Sequence, residues 1–347
     1  MANIPNNPWI DKKHELLQGV ENAPKKFLQT ILSNQHKYIA RRQREGTLIE
    51  GLDYESVAKQ VWDGTVVKHL IGAQPMKDNI GKVYSLQYKI HEGDENGGLA
   101  LADGRIMSLE VVADAIEAKT EKSNSLIPLN LTKQLQAPDA AKDSATDFEL
   151  ALAAELVQEL DTRYIKKIVD VSTKHPDVDI SIKSDMPVFV GDRFAELSFN
   201  ISRICSDIAR RTRRGHGNWV LCSPLIICVL QISALSTFAP TPIGSFKGPN
   251  NIMLVGKLNG MVDMYSYLPS YTLDTTDDTV IIGYKGNSGE VDAGLFYCPH
   301  TMVTHARKHK DDKGELVLPF ASKEASFVVE RASEYYASFD VVNLTFA

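Results

Sequence analysis

Residues 191–224 read GDRFAELSFNISRICSDIARRTRRGHGNWVLCSP, and this stretch is the strongest indication of the fold class. A basic run followed by Gly215 is typical of a helix end, because cations complement the helix dipole and glycine terminates the turn. Residues 218–222 have a buried-strand pattern, and Ser223 and Pro224 are typical of the start of a further helix. The first helix is predicted over about 191–213 from apolar residues three or four positions apart, at Phe194, Leu197, Ile201, Ile204 and Ile208. Together with the strands described below, this succession predicts an α+β protein.

A longer helix is predicted upstream, over residues 144–172. Thr146 and Glu149 fit a capping box at its start, and His175-Pro176 follows its end. At 1.5 Å per residue, the rod is about 40 Å long. Its apolar stripe consists of Phe148, Leu152, Leu156, Leu160, Tyr164 and Ile168. Such a stripe predicts one face buried against a core.

Between the N-terminus and this rod, the sequence predicts two extended features. Residues 1–65 are predicted to form an arm that carries helices, and the segment 24–45 has a thin apolar stripe at Phe27, Ile31 and Leu32. So narrow a stripe favours packing on a neighbouring molecule over a place in the chain's own core. Residues 82–90 alternate like a strand and are followed by HEGDENGGLALADGR at 91–105. We therefore predict a projecting hairpin or loop over 85–127.

The C-terminal third is predicted to be mostly β. Asn259-Gly260 between two apolar runs is a strong signal for a hairpin with a tight turn. Further strands are predicted at 279–284, 291–298, 325–330 and 335–346.

Composition narrows the function. The 347 residues carry a formal net charge of -6, whereas a dedicated nucleic-acid binder is usually basic. No signal-peptide pattern opens the sequence and no apolar run approaches the length of a membrane helix, so no membrane association is expected. Cys205, Cys222 and Cys228 lie in apolar surroundings and are predicted to be buried free thiols, which suits a reducing cytoplasm.

Residues that could support chemistry occur without the required patterns. Cys298, His300, His305 and His309 are close in sequence, but the many cations around them favour a solvated basic loop over a metal site. The glycines of 283–289 lack phosphate-loop spacing and are predicted to form a turn. No nucleophile motif is present, so we predict no catalytic residue, no metal and no cofactor.

Basic clusters leave two interpretations open. The run Arg210–Arg214 is favoured as a helix-end cap that pairs with an acidic neighbouring subunit, with contact to phosphate as the alternative. For Arg41, Arg42 and Arg44 in the arm, the two interpretations are equally supported.

Three ordered motifs resemble the major capsid proteins of T-even-type tailed phages. RTRRGHGNWVLCS at 211–223 resembles that family's helix-to-strand junction. GYKG at 283–286 followed by DAGLFYCP at 292–299 is similar to its late β-segment, and GAQPM at 72–76 to the motif that precedes its projecting loop. The resemblance implies the HK97-like fold. The arm would be 1–65, the extended loop 85–127, and the axial domain 190–299. The peripheral domain would comprise 66–84, 128–189 and 300–347, with a spine helix at about 144–172.

The resemblance also implies a function: self-assembly into hexamers and pentamers that form an icosahedral head around double-stranded DNA, in the virion, after synthesis in the host cytoplasm. Further expected partners are scaffold, portal, decoration and vertex proteins, with weak DNA contact on the inner face. Cleavage by a prohead protease is expected after Glu50, where Leu48-Ile49-Glu50 fits the family's pattern of Leu or Ile, any residue, then Glu. Ile90-His91-Glu92 also fits this pattern but lies near a predicted strand end. The predicted intersubunit positions are Arg210, Arg211, Arg213, Arg214, Lys285, Asp292, Glu92, Asp94 and Glu95.

Four alternatives remain open from the sequence. An encapsulin-like nanocompartment shell and a vertex-specific capsid paralogue would share the fold. An unrecognised hydrolase and a DNA-binding module belong to other classes. Enclosed cargo would distinguish a nanocompartment shell from a capsid subunit. Hydrolytic activity would indicate the hydrolase, and salt-dependent DNA retention would indicate the DNA-binding module.

Overall fold

The computed structural model describes residues 8–18, 20, 22–48, 52–92, 99–100, 105–128, 142–180, 190–233, 238–240, 252–267, 278–286, 290–305, 309–310 and 316–343. Within them the helices are α1 (Pro8–Leu16), α2 (Asn22–Arg44), α3 (Tyr54–Gly64), α4 (Val67–Leu70), α5 (Lys142–Val171), α6 (Val190–Thr212) and α7 (Pro224–Ile232). The strands are β1 (Gly72–Ala73), β2 (Ile80–Glu92), β3 (Leu99–Ala100), β4 (Arg105–Glu117), β5 (Lys119–Pro128), β6 (Thr173–Lys174), β7 (Val178–Asp179), β8 (Trp219–Cys222), β9 (Phe238–Pro240), β10 (Ile252–Leu258), β11 (Val262–Tyr267), β12 (Thr279–Gly283), β13 (Leu295–His305), β14 (His309–Lys310), β15 (Leu316–Val328) and β16 (Tyr336–Val342).

The strands form three sheets, and the predicted α+β class is confirmed. One sheet has the order β1-β13-β15-β14, with β5 also paired to β15. A second has the order β6-β16-β12-β8-β11-β10-β9, with β7 also paired to β16. The third consists of β2, β4 and β3. The last strand, β16, pairs with β12, so it belongs to the sheet on which α6 packs. Strand pairing therefore crosses the predicted boundary between 190–299 and 300–347, and the division into domains stays a prediction.

Helix α5 confirms the predicted rod. Its 30 residues span about 45 Å, and the predicted stripe from Leu152 to Ile168 is buried. The helix begins at Lys142, so Thr146 lies inside it and the predicted capping box is wrong. The helix is joined to β15 by an ion pair of 2.9 Å between Arg163 and Glu324.

The arm segment 24–45 behaves differently from its prediction. Helix α2 packs into the chain's own core, where its side chains Leu28, Ile31 and Leu32 are fully buried. Two amides, Asn34 and Gln35, are buried as well. The sequence pattern counted these amides as polar surface, which made the buried face look narrower than it is.

Backbone groups of the body satisfy those two amides. Asn34 donates to the carbonyl oxygens of Met76 and His300, at 2.7 and 2.9 Å. Gln35 donates to the carbonyl of Val303 at 2.7 Å and accepts from its N–H at 3.2 Å. A buried amide whose hydrogen bonds are made is tolerated in a core, so these two polar residues are compatible with the burial of α2.

The projecting hairpin is real but has different bounds. Strands β2 and β4 pair from Ile80↔Glu117 to Glu92↔Arg105. The predicted segment 85–127 therefore starts too late and ends too late, since β5 pairs with β15 in another sheet. The N–H of Ala118 donates to the carbonyl of Asn79 at 2.8 Å and closes the hairpin at its base.

Local signals in the second half are largely confirmed. Ser223 caps α7 by accepting from the N–H of Ile226 at 3.4 Å. Asn259 and Gly260 have φ of 53° and 69°, as expected for a tight turn that requires left-handed backbone at both positions. Among the cysteines, Cys228 is exposed on α7, which corrects its predicted burial.

Candidate functional site: the base of the projecting hairpin

The three motifs of the sequence meet where the hairpin leaves the body. Strand β1 runs parallel to β13, which places 72–76 beside 296–299. The N–H of Gln74 donates to the carbonyl of Tyr297, and that of Met76 to the carbonyl of Pro299, both at 2.9 Å. The end of α6 leads into β8, and β8 pairs with β12, whose last residue, Gly283, begins the motif at 283–286.

A buried ion pair lies at the centre of this site. Arg213 has a φ of 57°, and this left-handed residue turns the chain at the end of α6. The guanidinium of Arg214 then pairs with the carboxylate of Asp292, and the two side chains are only 5% and 6% exposed. Its second terminal nitrogen donates to the carbonyl of Leu86 on β2 at 2.5 Å. One arginine thus connects α6, the late β-segment and the hairpin.

Aromatic rings enclose the guanidinium of Arg214. The rings of Tyr88 and Tyr335 lie 5.3 and 5.8 Å from it, at cation–π distances. The hydroxyl of Tyr88 donates to the carbonyl of Arg213 at 3.2 Å. This second link from β2 to the end of α6 fixes the direction in which the hairpin leaves the body.

Asp292 has further partners within the chain. The hydroxyl of Tyr284 donates to its carboxylate at 3.2 Å. Burial, with the negative charge of Asp292 adding to it, raises the pKa of Tyr284 to about 12, so the phenol remains a donor at neutral pH. A Cβ at Gly286 would lie 2.2 Å from a carboxylate oxygen of Asp292, so only glycine fits there.

The other side of the hairpin base is held by neutral hydrogen bonds. The side-chain amide of Gln74 donates to the carbonyls of Tyr84 and Glu290, at 2.6 and 2.7 Å. Its oxygen accepts from the N–H of Tyr84 at 2.9 Å. The N–H of Leu86 donates to the carbonyl of Val291 at 2.8 Å. The first residues of β2 are therefore bonded to the body as well as to β4.

Lys285 extends the same network. Its ammonium donates to the carboxylate of Glu290 at 2.7 Å and to the carbonyl of Lys68 at 2.6 Å. Burial lowers the pKa of Lys285, and Glu290 opposes that shift. The same carboxylate accepts from the N–H of Ala73 at 2.7 Å.

The predicted intersubunit residues thus fall into three groups. Arg214, Lys285 and Asp292 come together, and their charges are taken up inside the chain. Arg211 is half-buried and donates to Thr173, whereas Arg210 is 80% exposed and pairs with Asp207. Arg213 is exposed and Glu92 ends β2, while Asp94, Glu95 and Glu50 lie outside the described residues. As contacts between subunits, all of these positions stay predictions, as does cleavage after Glu50.

Sequence reasoning missed several residues of the site. Gln74 and Tyr284 stand inside recognised motifs, so the motifs contained the signal although no role was assigned to them. Tyr88 and Glu290 had no local signal, because their partners lie far away in sequence and only the fold brings them close.

The histidine segment has a different structure from the predicted basic loop. His305 ends β13 and is buried, and His309 lies in β14, so they share no helix face. In the part of the chain that the structure describes, no three His, Cys, Asp or Glu side chains gather as a metal site would require. Nor does any helix among those residues have the length and apolarity to cross a membrane.

Sequence comparison identifies the relatives of this chain. It is 23% identical to the major capsid protein of Vibrio phage KVP40 over 239 residues, and 24% identical to that of Enterobacteria phage T4 over 242 residues. Each match covers 62% of this chain and 44% of the relative, so the chain spans about half the length of the curated relatives it matches. A shorter match, of 119 residues at 33% identity, is to the major capsid protein of Salmonella phage ViI; it covers 32% of this chain and 25% of that protein.

Solved structures are similar at low identity. A virus-like particle from Pyrococcus furiosus gives a TM-score of 0.42 at 12% identity, covering 82% of this chain and 96% of that one. The capsid of Myoviridae phage XM1 gives a TM-score of 0.42 at 12% identity, covering 80% of this chain and 91% of that one.

The family profile described as Major capsid protein Gp23 matches residues 97–337, which is more than half of the sequence. The chain therefore belongs to the Gp23 family of major capsid proteins.

Proposed function

We propose that this chain is the shell-forming subunit of a tailed-phage head with the HK97-like fold, and that it acts as a structural protein without enzymatic activity. Many copies assemble into hexamers and pentamers and close into an icosahedral capsid around double-stranded DNA. The observation that carries the proposal is the long hairpin, whose direction is set by the buried pair of Arg214 and Asp292, in a chain of the Gp23 family.

The hairpin itself supports self-association. Register places Ile80, Tyr84, Leu109 and Val111 on one face of the ribbon, and all four are exposed, Ile80 by 71%. The opposite face is buried against the body at Val83 and Ile116. A two-stranded ribbon has little independent stability, and an exposed apolar face marks a contact surface. A second copy of the chain is the partner that shell formation provides.

In this proposal each region has a role in assembly. Residues 190–299 form the axial domain around the capsomer axis. The hairpin at 80–117 reaches neighbours from the peripheral domain, to which 128–189 and 300–347 belong. Contacts of this kind are individually modest, but many of them in a closed shell add up. Head expansion on DNA packaging would be a rigid-body rearrangement of these parts.

The proposal also includes other proteins and DNA as partners of the shell. Scaffold, portal, decoration and vertex proteins would bind the assembling shell, and packaged DNA would contact its inner face weakly. The mature protein would reside in the virion after synthesis in the host cytoplasm.

Negative-stain electron microscopy of the purified full chain, with size-exclusion chromatography, tests the proposal. Closed shells, tubes or six-fold rings are expected. A monomer or dimer that persists at high concentration, even with scaffold and portal proteins supplied, would contradict it. Nuclease-protected DNA in particles from infected cells separates a phage head from a protein-filled nanocompartment.

A further inference from the structure

A basic cavity of about 480 Å³ lies between α2, the start of the hairpin and the sheet that contains β13 and β15. Its volume is within the range of about 300–1,000 Å³ that small-molecule sites have. Five of its lining residues are cations: Lys37, Arg41, Arg42, Lys77 and Lys323. An acid, Asp78, lines it as well. Such a concentration of positive charge in a chain of net charge -6 indicates a site for an anion.

Three of these cations are available to a ligand. Among the residues that the structure describes, Lys37, Lys77 and Lys323 form no ion pair. Arg41 and Arg42, by contrast, pair with the carboxylate of Glu45 at 2.8 and 3.4 Å. Like charges around one cavity repel one another, so an anion placed between them is attracted by all of them and relieves that repulsion.

The three unpaired lysines come from three separate parts of the fold. Lys37 is on α2, Lys77 stands three residues before β2, and Lys323 is on β15. Exposed lysines along one helix are ordinary solvated surface. Their convergence from three segments on a single cavity is the observation that points to a ligand.

Neutral groups of the wall can add hydrogen bonds to an anion. Within the described part of the chain, the side-chain amide of Asn79 and the hydroxyl of Thr120 form no hydrogen bond. The imidazole of His300 is bonded through Nδ1 to the hydroxyl of Thr301 at 2.8 Å, which leaves Nε2 for another partner. An anion with several oxygens accepts from donors of this kind and from ammonium groups together.

Hydrogen bonds fix the rest of the wall. Asn34 is buried and donates to two carbonyl oxygens of the body. The hydroxyl of Tyr38 accepts from the N–H of His305 at 3.0 Å, and the guanidinium of Arg42 lies 5.4 Å from the ring of Tyr38. The cavity is therefore largely formed before any ligand binds, which lowers the entropic cost of binding.

The cavity also adjoins both ends of the projecting hairpin. Lys77 and Asn79 come just before β2, and Thr120 comes just after β4, at the start of β5. The N–H of Ala118 donates to the carbonyl of Asn79 at 2.8 Å and holds the two ends together. A ligand bound by Lys77 and by Lys37 therefore joins the hairpin base to α2.

We propose that this cavity binds a small phosphorylated anion, held by Lys37, Lys77 and Lys323, and that the bound anion fastens the hairpin base to α2. A phosphate group carries up to two negative charges and three strong acceptor oxygens, which suits three ammonium groups that approach from different directions. Duplex DNA is the weaker candidate, since the cavity has the volume of a small molecule and a net charge of -6 repels a polyanion at long range. The inference concerns the single chain and goes beyond the proposed assembly into a shell.

Isothermal titration calorimetry of the unassembled full chain with inorganic pyrophosphate, at an ionic strength of about 0.15 M, tests the binding. The cavity variant Lys37→Gln, Lys77→Gln, Lys323→Gln is expected to weaken it at least about tenfold, because three charge-assisted contacts are lost. Pyrophosphate that does not bind the unchanged chain, or that binds the cavity variant equally well, would overturn the proposal. So would short duplex DNA that binds through these lysines when pyrophosphate does not.

The matched control removes the same charge elsewhere. Lys26→Gln, Lys166→Gln, Arg203→Gln neutralises three exposed cations outside the cavity and is expected to bind pyrophosphate within about twofold of the unchanged chain. Circular dichroism and thermal unfolding establish that each variant is folded. A control that weakens binding as much as the cavity variant would show that net charge alone is responsible.

Hydrogen exchange tests whether the anion fastens the hairpin. At a pyrophosphate concentration ten times its Kd, exchange at residues 77–80 and 118–120 is expected to slow by up to about tenfold, because opening of the hairpin base then requires release of the ligand. The cavity variant should show no such slowing. Binding that leaves exchange at these residues unchanged would refute the fastening of the hairpin base to α2.

The imidazole of His300 gives an independent measure of where the anion binds. Burial lowers its pKa, and Lys323 and Lys37 lower it further, while Asp78 opposes them. A bound dianion favours the imidazolium, so pyrophosphate is expected to raise the pKa of His300 in an NMR titration. The variant His300→Asn identifies the signal. Binding that leaves this pKa unchanged would place the anion outside the cavity and overturn the proposal.

Discussion

The base of the hairpin and the arm helix α2 are anchored to the body in opposite ways. At the hairpin base, a buried charge pair joins three distant segments through Arg214 and Asp292. Along α2, aliphatic side chains are packed in the core, and two neutral amides, Asn34 and Gln35, form hydrogen bonds with backbone groups. A buried ion pair adds little net stability when both partners are present, but losing one partner leaves an uncompensated charge. The hairpin anchor should therefore be specific in geometry and sensitive to mutation, and the arm anchor more tolerant.

Asp292→Ala should have the largest effect on this comparison. We expect a loss of about 3–5 kcal/mol in the free energy of unfolding, because the guanidinium of Arg214 stays buried without its carboxylate. Urea unfolding of the unassembled chain, followed by circular dichroism, measures it. The double variant Arg214→Met, Asp292→Leu should recover part of the loss. A single variant that loses less than about 1 kcal/mol would show that water replaces the carboxylate.

Gln35→Ala should have the next effect, about 1–3 kcal/mol, since it leaves the N–H and carbonyl of Val303 buried without their partners. The same unfolding measurement applies. Gln43→Ala, at an exposed position of the same helix, is the matched control and should change stability by less than about 0.5 kcal/mol. Equal losses in the two variants would mean that the buried hydrogen bonds of Gln35 are not the cause, since alanine itself favours a helix.

Acid should weaken the arm anchor through His300. Burial and the nearby Lys323 and Lys37 lower its folded pKa below the ordinary 6.5, so the unfolded chain binds more protons as the pH falls through 6.5. This contribution to stability is present above pH 6.5 and is lost as the pH falls toward the folded pKa. The slope of unfolding free energy against pH is proportional to the difference in bound protons between the unfolded and folded chain. In that window, His300→Asn should reduce this difference by less than one proton. An unchanged slope would contradict the assignment.

Arg210→Ala should have the smallest effect, about 0–1 kcal/mol, although it lies four residues from Arg214. Its side chain is 80% exposed, and its pair with Asp207 is screened by water. The comparison separates the effect of burial from that of residue type. A loss as large as that of Asp292→Ala would mean that Arg210 has a role within the single chain that its contacts with Asp207 do not explain.

The elements that sequence predicted well are those with local patterns. Helices α5 and α6 follow from apolar spacing, the turn at Asn259-Gly260 from its residue types, and the cap at Ser223 from a single hydroxyl. The prediction that α2 packs on a neighbouring molecule was wrong, because its apolar stripe is thin only when the buried amides Asn34 and Gln35 are counted as exposed. The hairpin bounds were missed because β4 and β5 follow each other almost without interruption and differ only in their partners.

The sequence by itself determined the α+β class, the long helices and the family, since each depends on residues close together in the chain or on ordered motifs. Only the tertiary structure decided what those motifs do together. It brought Gln74, Arg214 and Asp292 together at the base of the hairpin. It also placed Lys37, Lys77 and Lys323 in the wall of one cavity beside α2. The physical reason is that ion pairs and hydrogen bonds depend on distances in space, and residues hundreds of positions apart approach one another only when the sheets and helices are packed.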